Sequence, residues 1–341
     1  MSKKIRFGVG IPTGEEGLMY PVPFASAQDN VRMAQAAEKM GFDSVWGNDH
    51  VLTQKYVREE FPAPPRYYAP LVTLAAVAQA TTTIKVCTAL LVVPFRHPVM
   101  VAKEVATLDH LSGGRVIMAA GIGAYQEEFK SMFGSKVDGF KRGDMLDETL
   151  EALQLLWQGK PCSYKGTYYE FDDVECYPPP VQKPFPIYIG GNSEFGRRRA
   201  AKYAQGWLPA ALPVEQVAAG LADIREMAAQ NGRTDMDSFD VAPQFFIYVA
   251  KTQEEAEAKY QESQMYKHQL SLKNTTLKNQ QLDYREISLV GSPETLKERI
   301  GRYVDAGVTT FSAMLFSTKT VDETLDMMQL FAEEVMPEFV K

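Results

Sequence analysis

Short apolar runs recur along the chain, each followed by glycine or polar residues and then by a stretch whose apolar residues repeat at helical spacing. The runs predict strands at Ile5–Ile11, Asp43–Gly47, Ile84–Val93 and Arg115–Ala120, and again at Ile187–Ile189, Gly206–Leu208, Asp240–Val249 and Val308–Leu315. Between them Phe24–Met40 carries Ala, Met and Val at helical spacing and closes on Gly41, the residue type that follows a helix end; Leu146–Trp157 reads the same way. Strands that alternate with helices pair in parallel through right-handed crossovers. Eight such units close more naturally into a (β/α)8 TIM barrel than into an open doubly wound sheet, so an α/β barrel spanning residues 1–341 as one domain is the expected architecture.

Two stretches break the repeat. Residues 161–186 hold a tyrosine-rich hairpin, Tyr164 to Tyr169, followed by Pro178–Pro180, and read as an insertion covering the barrel mouth. Residues 266–287, rich in Gln, Asn and Lys, read as a second insertion and a candidate lid.

Composition narrows the class. The chain is 45% hydrophobic and 23% charged, enough for a sizeable core. With 36 basic and 43 acidic side chains the net charge is -7, which opposes nonspecific attraction to nucleic acid or anionic lipid, and neither partner is expected. No run reaches the roughly 18 apolar residues of a membrane span, and Met1–Lys4 leads straight into a strand without a signal region. Cys87, Cys162 and Cys176 form no Cys-x-x-Cys pair, which points to a reducing cytoplasm and away from disulfides or a zinc site.

A barrel assembles its active site from the carboxyl ends of its strands, and the strand from Asp43 ends in Asp49 and His50. His50 is a candidate for proton transfer, with a plain loop hydrogen bond as the alternative. The third strand and its exit, Val86 to Pro98, pass from buried hydrophobes to a proline-bounded turn; they either line a flat ring or form an ordinary buried strand. There His97 is a second candidate proton donor or a helix cap, whereas His110, at a helix end before the fourth strand, reads as structural. Gly121 and Gly123 permit close ligand approach, or serve a tight turn. Gly190, Gly191, Asn192 and Ser193 stand between a strand and a helix start, the usual setting for a phosphate; an ordinary N-cap is the alternative. Arg197–Arg199 inside that helix are free to pair with nearby acids, and Cys87 reads as core. No histidine and acid pairs stand at metal-ligand spacing, and there is neither a Gly-x-Ser-x-Gly elbow nor a phosphate-loop lysine.

Taken in order, Trp46–His50, Thr88–Pro94 with Arg96–Pro98, Ala102–Arg115, Gly121–Gly123, Glu128–Phe129, Arg142–Gly143, Tyr164–Phe171, Pro184–Gly191, Gly206–Pro209 and Val290–Glu294 resemble the bacterial luciferase-like family of flavin and deazaflavin oxidoreductases. The resemblance covers nearly the whole chain. It implies a (β/α)8 barrel that binds reduced flavin or deazaflavin at the strands' carboxyl ends, with an insertion after the fourth unit. It also implies a bulge in the third strand with a cis peptide at Ala89–Leu90 supporting the ring, and cofactor contacts at Thr88, Ala89 and Leu90. By the same resemblance His50 is the catalytic histidine and Gly190 to Ser193 hold the cofactor phosphate or ribityl chain. Some deazaflavin dehydrogenases of the family carry a glutamate directly after the fourth strand's glycine pair. Here that position is Ala124, with Glu127 and Glu128 further on, which counts against a sugar-phosphate dehydrogenase.

The function expected from this resemblance is a monooxygenase that receives reduced FMN (FMNH2) from a separate reductase and oxidises a small organic substrate. In it His50 moves a proton, Asp49 orients His50, Trp46 and Trp207 line the substrate pocket, and both insertions exclude water. A hydride-transfer enzyme using coenzyme F420 is the second reading and a non-catalytic flavin-binding protein the third. A homodimer packed through early helices is expected.

Overall fold

The computed structural model describes residues 4–272 and 283–340. Its strands are β1 (Arg6–Ile11), β2 (Ser44–Gly47), β3 (Lys85–Val92), β4 (Val116–Gly121), β5 (Cys162–Lys165), β6 (Glu170–Val174), β7 (Ile187–Gly190), β8 (Gly206–Leu208), β9 (Asp240–Val241), β10 (Gln244–Val249), β11 (Leu289–Gly291) and β12 (Thr310–Phe316). Ten of them form one parallel sheet in the order β11-β10-β12-β1-β2-β3-β4-β7-β8-β9, while β5 and β6 pair antiparallel as a separate hairpin. Buried on both faces, β2, β4 and β12 required the near-continuous apolar runs seen in the sequence.

The sheet curls. The stretch holding β9 and β10 is bonded on one side to β8, through Ala242 N–H to the Trp207 carbonyl at 2.8 Å, and on the other to the β12 segment, through Thr309 N–H to the Val241 carbonyl at 3.0 Å. The single strand expected at Asp240–Val249 is divided at Ala242 and Pro243, because proline has no N–H to give a ladder. The short β11, beside β10, was not anticipated; three residues are too few to show a period.

Alternation along the strands separates two layers. Trp46, Cys87, Ile117, Ala119, Tyr188 and Ala313 meet inside the curl. Their neighbours Val45, Val86, Val116, Met118, Ile187 and Ile189 join the outer core under the helices. Helix Ala27–Lys39 shows how the outer layer is set. Ser26 and Asp29 form a reciprocal capping box at its start, Met33, Ala34 and Ala37 face the core, and the chain leaves through Gly41 at φ +85°.

The hairpin β5–β6 differs from expectation. It does not cover the cavity: the Glu148 carboxylate, on helix Arg142–Leu156, accepts N–H groups from Thr167, Tyr168 and Tyr169, and Tyr164 donates to Glu151 on the same helix. The hairpin is thereby held on the outer helices, and no residue of 161–186 lines the cavity described below. Of the second insertion, helices Gln264–Leu272 and Tyr284–Ile287 are described, and residues 273–282 lie outside the described residues. No helix among the described residues is long and apolar enough to cross a membrane.

The indole of Trp46 crosses the face of β1 at Gly8, where a Cβ would lie 2.3 Å from its Nε1 and 2.4 Å from Ser44 Oγ. Both neighbours are buried and bonded to each other at 2.8 Å, so neither can give way. Gly8→Ala is expected to cost about 1–3 kcal/mol of stability, read as a lowered urea midpoint.

Candidate functional site

Asp49 and His50 leave β2 side by side and find different partners. The Asp49 carboxylate, 1% exposed, receives both terminal nitrogens of Arg96 at 2.5 and 3.0 Å and the N–H of Val92 at 2.9 Å. It ties the end of β2 to the exit of β3 and does not orient His50. That corrects the expectation, and the cause is the divergence of successive side chains along extended chain. The group that holds His50 is Glu128, whose Oε2 lies 3.2 Å from Nδ1 while Oε1 accepts the N–H groups of Val51 and Leu52. Tyr125 and Tyr67 flank the imidazole, with ring centroids at 5.5 and 6.0 Å.

These groups open on a cavity of about 730 Å³ at the carboxyl ends of the strands. Of the expected cofactor residues, Ala89, Leu90, Gly121, Gly123, Gly190, Gly191, Asn192 and Ser193 all line it. The Ala89–Leu90 peptide is cis, where the β3–β4 register shifts, and its Ala89 carbonyl accepts from the Gln244 amide at 3.3 Å. Leu90 accounts for the glycines around it, since a Cβ on Gly121 would lie 2.4 Å from its Cδ1 and one on Gly190 2.1 Å from its Cδ2. Missing side chains in β4 and β7 thus admit Leu90 rather than a ligand directly. Gly191, at φ +114°, has open space where a Cβ would point.

Asn192 is locked to the neighbouring loop, its amide donating to the Ala210 carbonyl at 2.7 Å and its Oδ1 accepting from Ala210 N–H at 3.0 Å. Ser193 caps helix Glu194–Tyr203. Arg197, Arg198 and Arg199 pair with Asp223, Glu194 and Asp147, so none of these charges is aimed into the cavity.

Two expected residues do not reach the cavity. Thr88 is buried with its hydroxyl donating to the Ala119 carbonyl at 2.8 Å. Trp207 points the other way from Leu208: its ring packs at Gly220 in the helix layer, and its Nε1 donates to the Gly191 carbonyl at 2.9 Å. Alternation along β8 gives the cavity Leu208 instead. Trp46 does line it. His97 accepts from Val99 N–H as a helix cap and His110 bonds the Pro179 carbonyl, so both are structural. Burial pushes the Cys87 thiol well up, in keeping with a core position.

Three titratable cavity residues escaped sequence reasoning: Glu15, Tyr125 and His268. Glu15 follows the end of β1, and the strand-end rule applied to Asp49 applied there too. Its neighbour Glu16 is fully used, accepting N–H groups from Phe24, Ala25 and Arg66. Glu15 accepts only backbone N–H groups of its own turn, from Gly14 and from itself, and burial pushes its carboxyl up to about 8. His268 comes from a segment with no strand-end signal; burial, then the nearness of His50, lowers it to about 4.

Two measurements check these assignments. Removing the Asp49 charge strands Arg96, so Asp49→Asn is expected to cost about 3 kcal/mol in denaturant titration. From pH 4.5 to about 8 the unfolded chain releases the Glu15 proton that the folded protein keeps, so this group makes stability fall as pH rises and adds no further slope above that window. The stability of Glu15→Gln relative to the parent is therefore expected to rise across this window, and a pH-independent difference in melting temperature would contradict the assignment.

The chain matches the family model described as luciferase-like monooxygenase over residues 5–310. An FMNH(2)-dependent dimethylsulfone monooxygenase of Pseudomonas putida is 29% identical over 263 residues, 76% of this chain and 69% of that protein. An F420-dependent glucose-6-phosphate dehydrogenase of Microbacterium testaceum is 28% identical over 327 residues, 89% of this chain and 91% of that one. In fold, the chain is similar to the crystal structure of monooxygenase RslO1 from Streptomyces bottropensis, with a TM-score of 0.79 at 23% identity, covering 98% of this chain and 100% of that one. Matched along most of its length, the chain belongs to the luciferase-like monooxygenase family.

Proposed function

We propose that this protein is a reduced-flavin-dependent monooxygenase that takes FMNH2 from a separate reductase and oxidises a small organic substrate, on a curled sheet that closes as a (β/α)8 barrel. The observation that carries the reading is His50, held by Glu128 at an apolar cavity beside the Ala89–Leu90 shelf. The cavity fits the cofactor: it is concave and mostly apolar, with backbone polar groups converging at Gly190–Ser193. Ala89 and Leu90 would support the ring, and the start of helix Glu194–Tyr203 would face the phosphate. When bound, the reduced flavin supplies the electrons and the reaction with O2. The chain supplies orientation, a dry wall and a placed proton. With Glu128 as acceptor the His50 proton sits on Nδ1, which leaves Nε2 to take or give one.

Hydride transfer with coenzyme F420 is the second reading, favoured by the likeness to the Microbacterium testaceum protein over 89% of this chain. Ala124 lines the cavity and brings no acid to it, which weighs against sugar-phosphate oxidation. A flavin-binding protein without turnover would have no use for the His50–Glu128 pair. Exposed Val72 and Met100, on helices Pro70–Ala80 and Pro98–Ser112, support a homodimer packed through early helices, and the free cysteines suit a reducing cytoplasm.

Anaerobic titration with reduced FMN and, in parallel, reduced F420 tests the reading: tight binding of FMN is expected, and tight binding of F420 alone would replace oxygenation by hydride transfer. His50→Ala is expected to lower kcat about 10²- to 10⁴-fold, and Glu128→Gln by a smaller factor with a shifted pH profile. Unchanged turnover in His50→Ala would remove its catalytic role.

A further inference from the structure

The cavity has two unlike sides. One is the shelf of Ala89 and Leu90 with the backbone of Gly190–Ser193. The other is built by the loop after β1 and by helix Gln264–Leu272, which are joined by the Gln264 amide donating to the Gly17 carbonyl at 3.3 Å. This second side is apolar: Met19, Phe246 and Leu315 pack in one cluster with Tyr20 and Met265. Into it project two titratable side chains that the proposed proton transfer does not use.

His268 is 6% exposed and lines the cavity, and among the described residues no hydrogen bond engages its ring. The other histidines are all engaged: His50 with Glu128, His97 with Val99 N–H and His110 with the Pro179 carbonyl. Glu15, 3% exposed, has no ion-pair partner among the described residues and accepts only backbone N–H groups at its own turn. Burying an unpartnered imidazole and an unpaired carboxyl is costly, and both face the space where a substrate would sit.

We infer that Glu15 and His268 together form the substrate-recognition pair of this cavity, hydrogen-bonding the oxygen of an uncharged and otherwise apolar substrate such as a ketone or a sulfone. A protonated carboxyl and a neutral imidazole each offer one donor, and a single acceptor oxygen with two lone pairs satisfies both. Burial drives both groups towards these uncharged forms, the carboxyl upward and the imidazole downward. An anionic or an ammonium substrate would lose its hydration at this apolar wall, and the two uncharged groups offer neither of them a counter-charge. The assignment rests on the functional reading above, whose small organic substrate it specifies.

The test uses the full chain with and without bound FMN and three probes of one shape: cyclohexanone, cyclohexanecarboxylate and cyclohexylamine. Binding is followed by calorimetry and by the ring signals of the four histidines in NMR spectra, assigned with single variants. Cyclohexanone is expected to move the His268 signal and to bind about tenfold more weakly to His268→Phe and to Glu15→Leu. His268→Gln, which keeps a donor, retains most of the affinity, and methylcyclohexane binds parent and variants alike. The carboxylate and the amine are expected to bind about tenfold more weakly than the ketone. If the ketone leaves the His268 signal in place, binds both apolar variants as it binds the parent, or is matched by either charged probe, the pair is wrongly assigned. Failure to bind either reduced cofactor would instead overturn the functional reading, and the probe results would still decide the pair.

Discussion

The buried ion pair of Asp49 and Arg96 is the constraint on which the site depends. One carboxylate, closed off from water, joins the end of β2 to Val92 N–H at the end of β3, and in doing so sets the distance between His50 and the Ala89–Leu90 shelf. A charge so placed is stable only with its partner and its amide hydrogen bond both in place. The link continues to the next strand, because Glu128, beyond β4, takes the imidazole of His50 and two backbone N–H groups after it. Consecutive strand ends are therefore stitched by side-chain carboxylates, which gives the loops at this end of the curled sheet a rigidity that loop backbone alone does not have.

The same device recurs elsewhere. Glu16 gathers the amides of Phe24, Ala25 and Arg66, Glu38 those of Thr82, Thr83 and Ile84, and Glu148 those of the hairpin turn. Each satisfies donors that a loop would otherwise leave to water. Against this background Glu15 stands apart. It is adjacent to Glu16 and equally buried, yet it is turned towards the cavity and paired with no cation among the described residues. Neighbouring acids of identical type thus divide into one that builds the loop and one that faces the cavity.

Much of the architecture was legible because its signals are local. Parallel strands buried on both faces must be apolar throughout, so β1, β2, β3, β4 and β12 stood out, and the helical spacing of Phe24–Met40 with Gly41 after it marked a helix in plain sequence. The resemblance placed the cis peptide at Ala89–Leu90 and the loop at Gly190–Ser193, and both are on the cavity. Less legible were features set by partners far along the chain. Trp207 was expected in the pocket, but its position in β8 sends the indole outward. The hairpin was expected over the mouth, but Glu148 and Glu151 on the neighbouring helix decide where it lies. Asp49 was expected to serve its neighbour His50, and Arg96 claims it.

By itself, then, the sequence determined most of the order of strands and helices, the end of the sheet that carries the cavity, and the presence of His50 there, since period and strand ends are properties of adjacent residues. Only the tertiary structure decided which carboxylate holds His50, which tryptophan meets the cavity, and that Glu15 and His268 line one cavity despite lying 253 residues apart. Those choices follow from how far the sheet curls and where each side chain emerges from it, and neither is written in the spacing of residues along the chain.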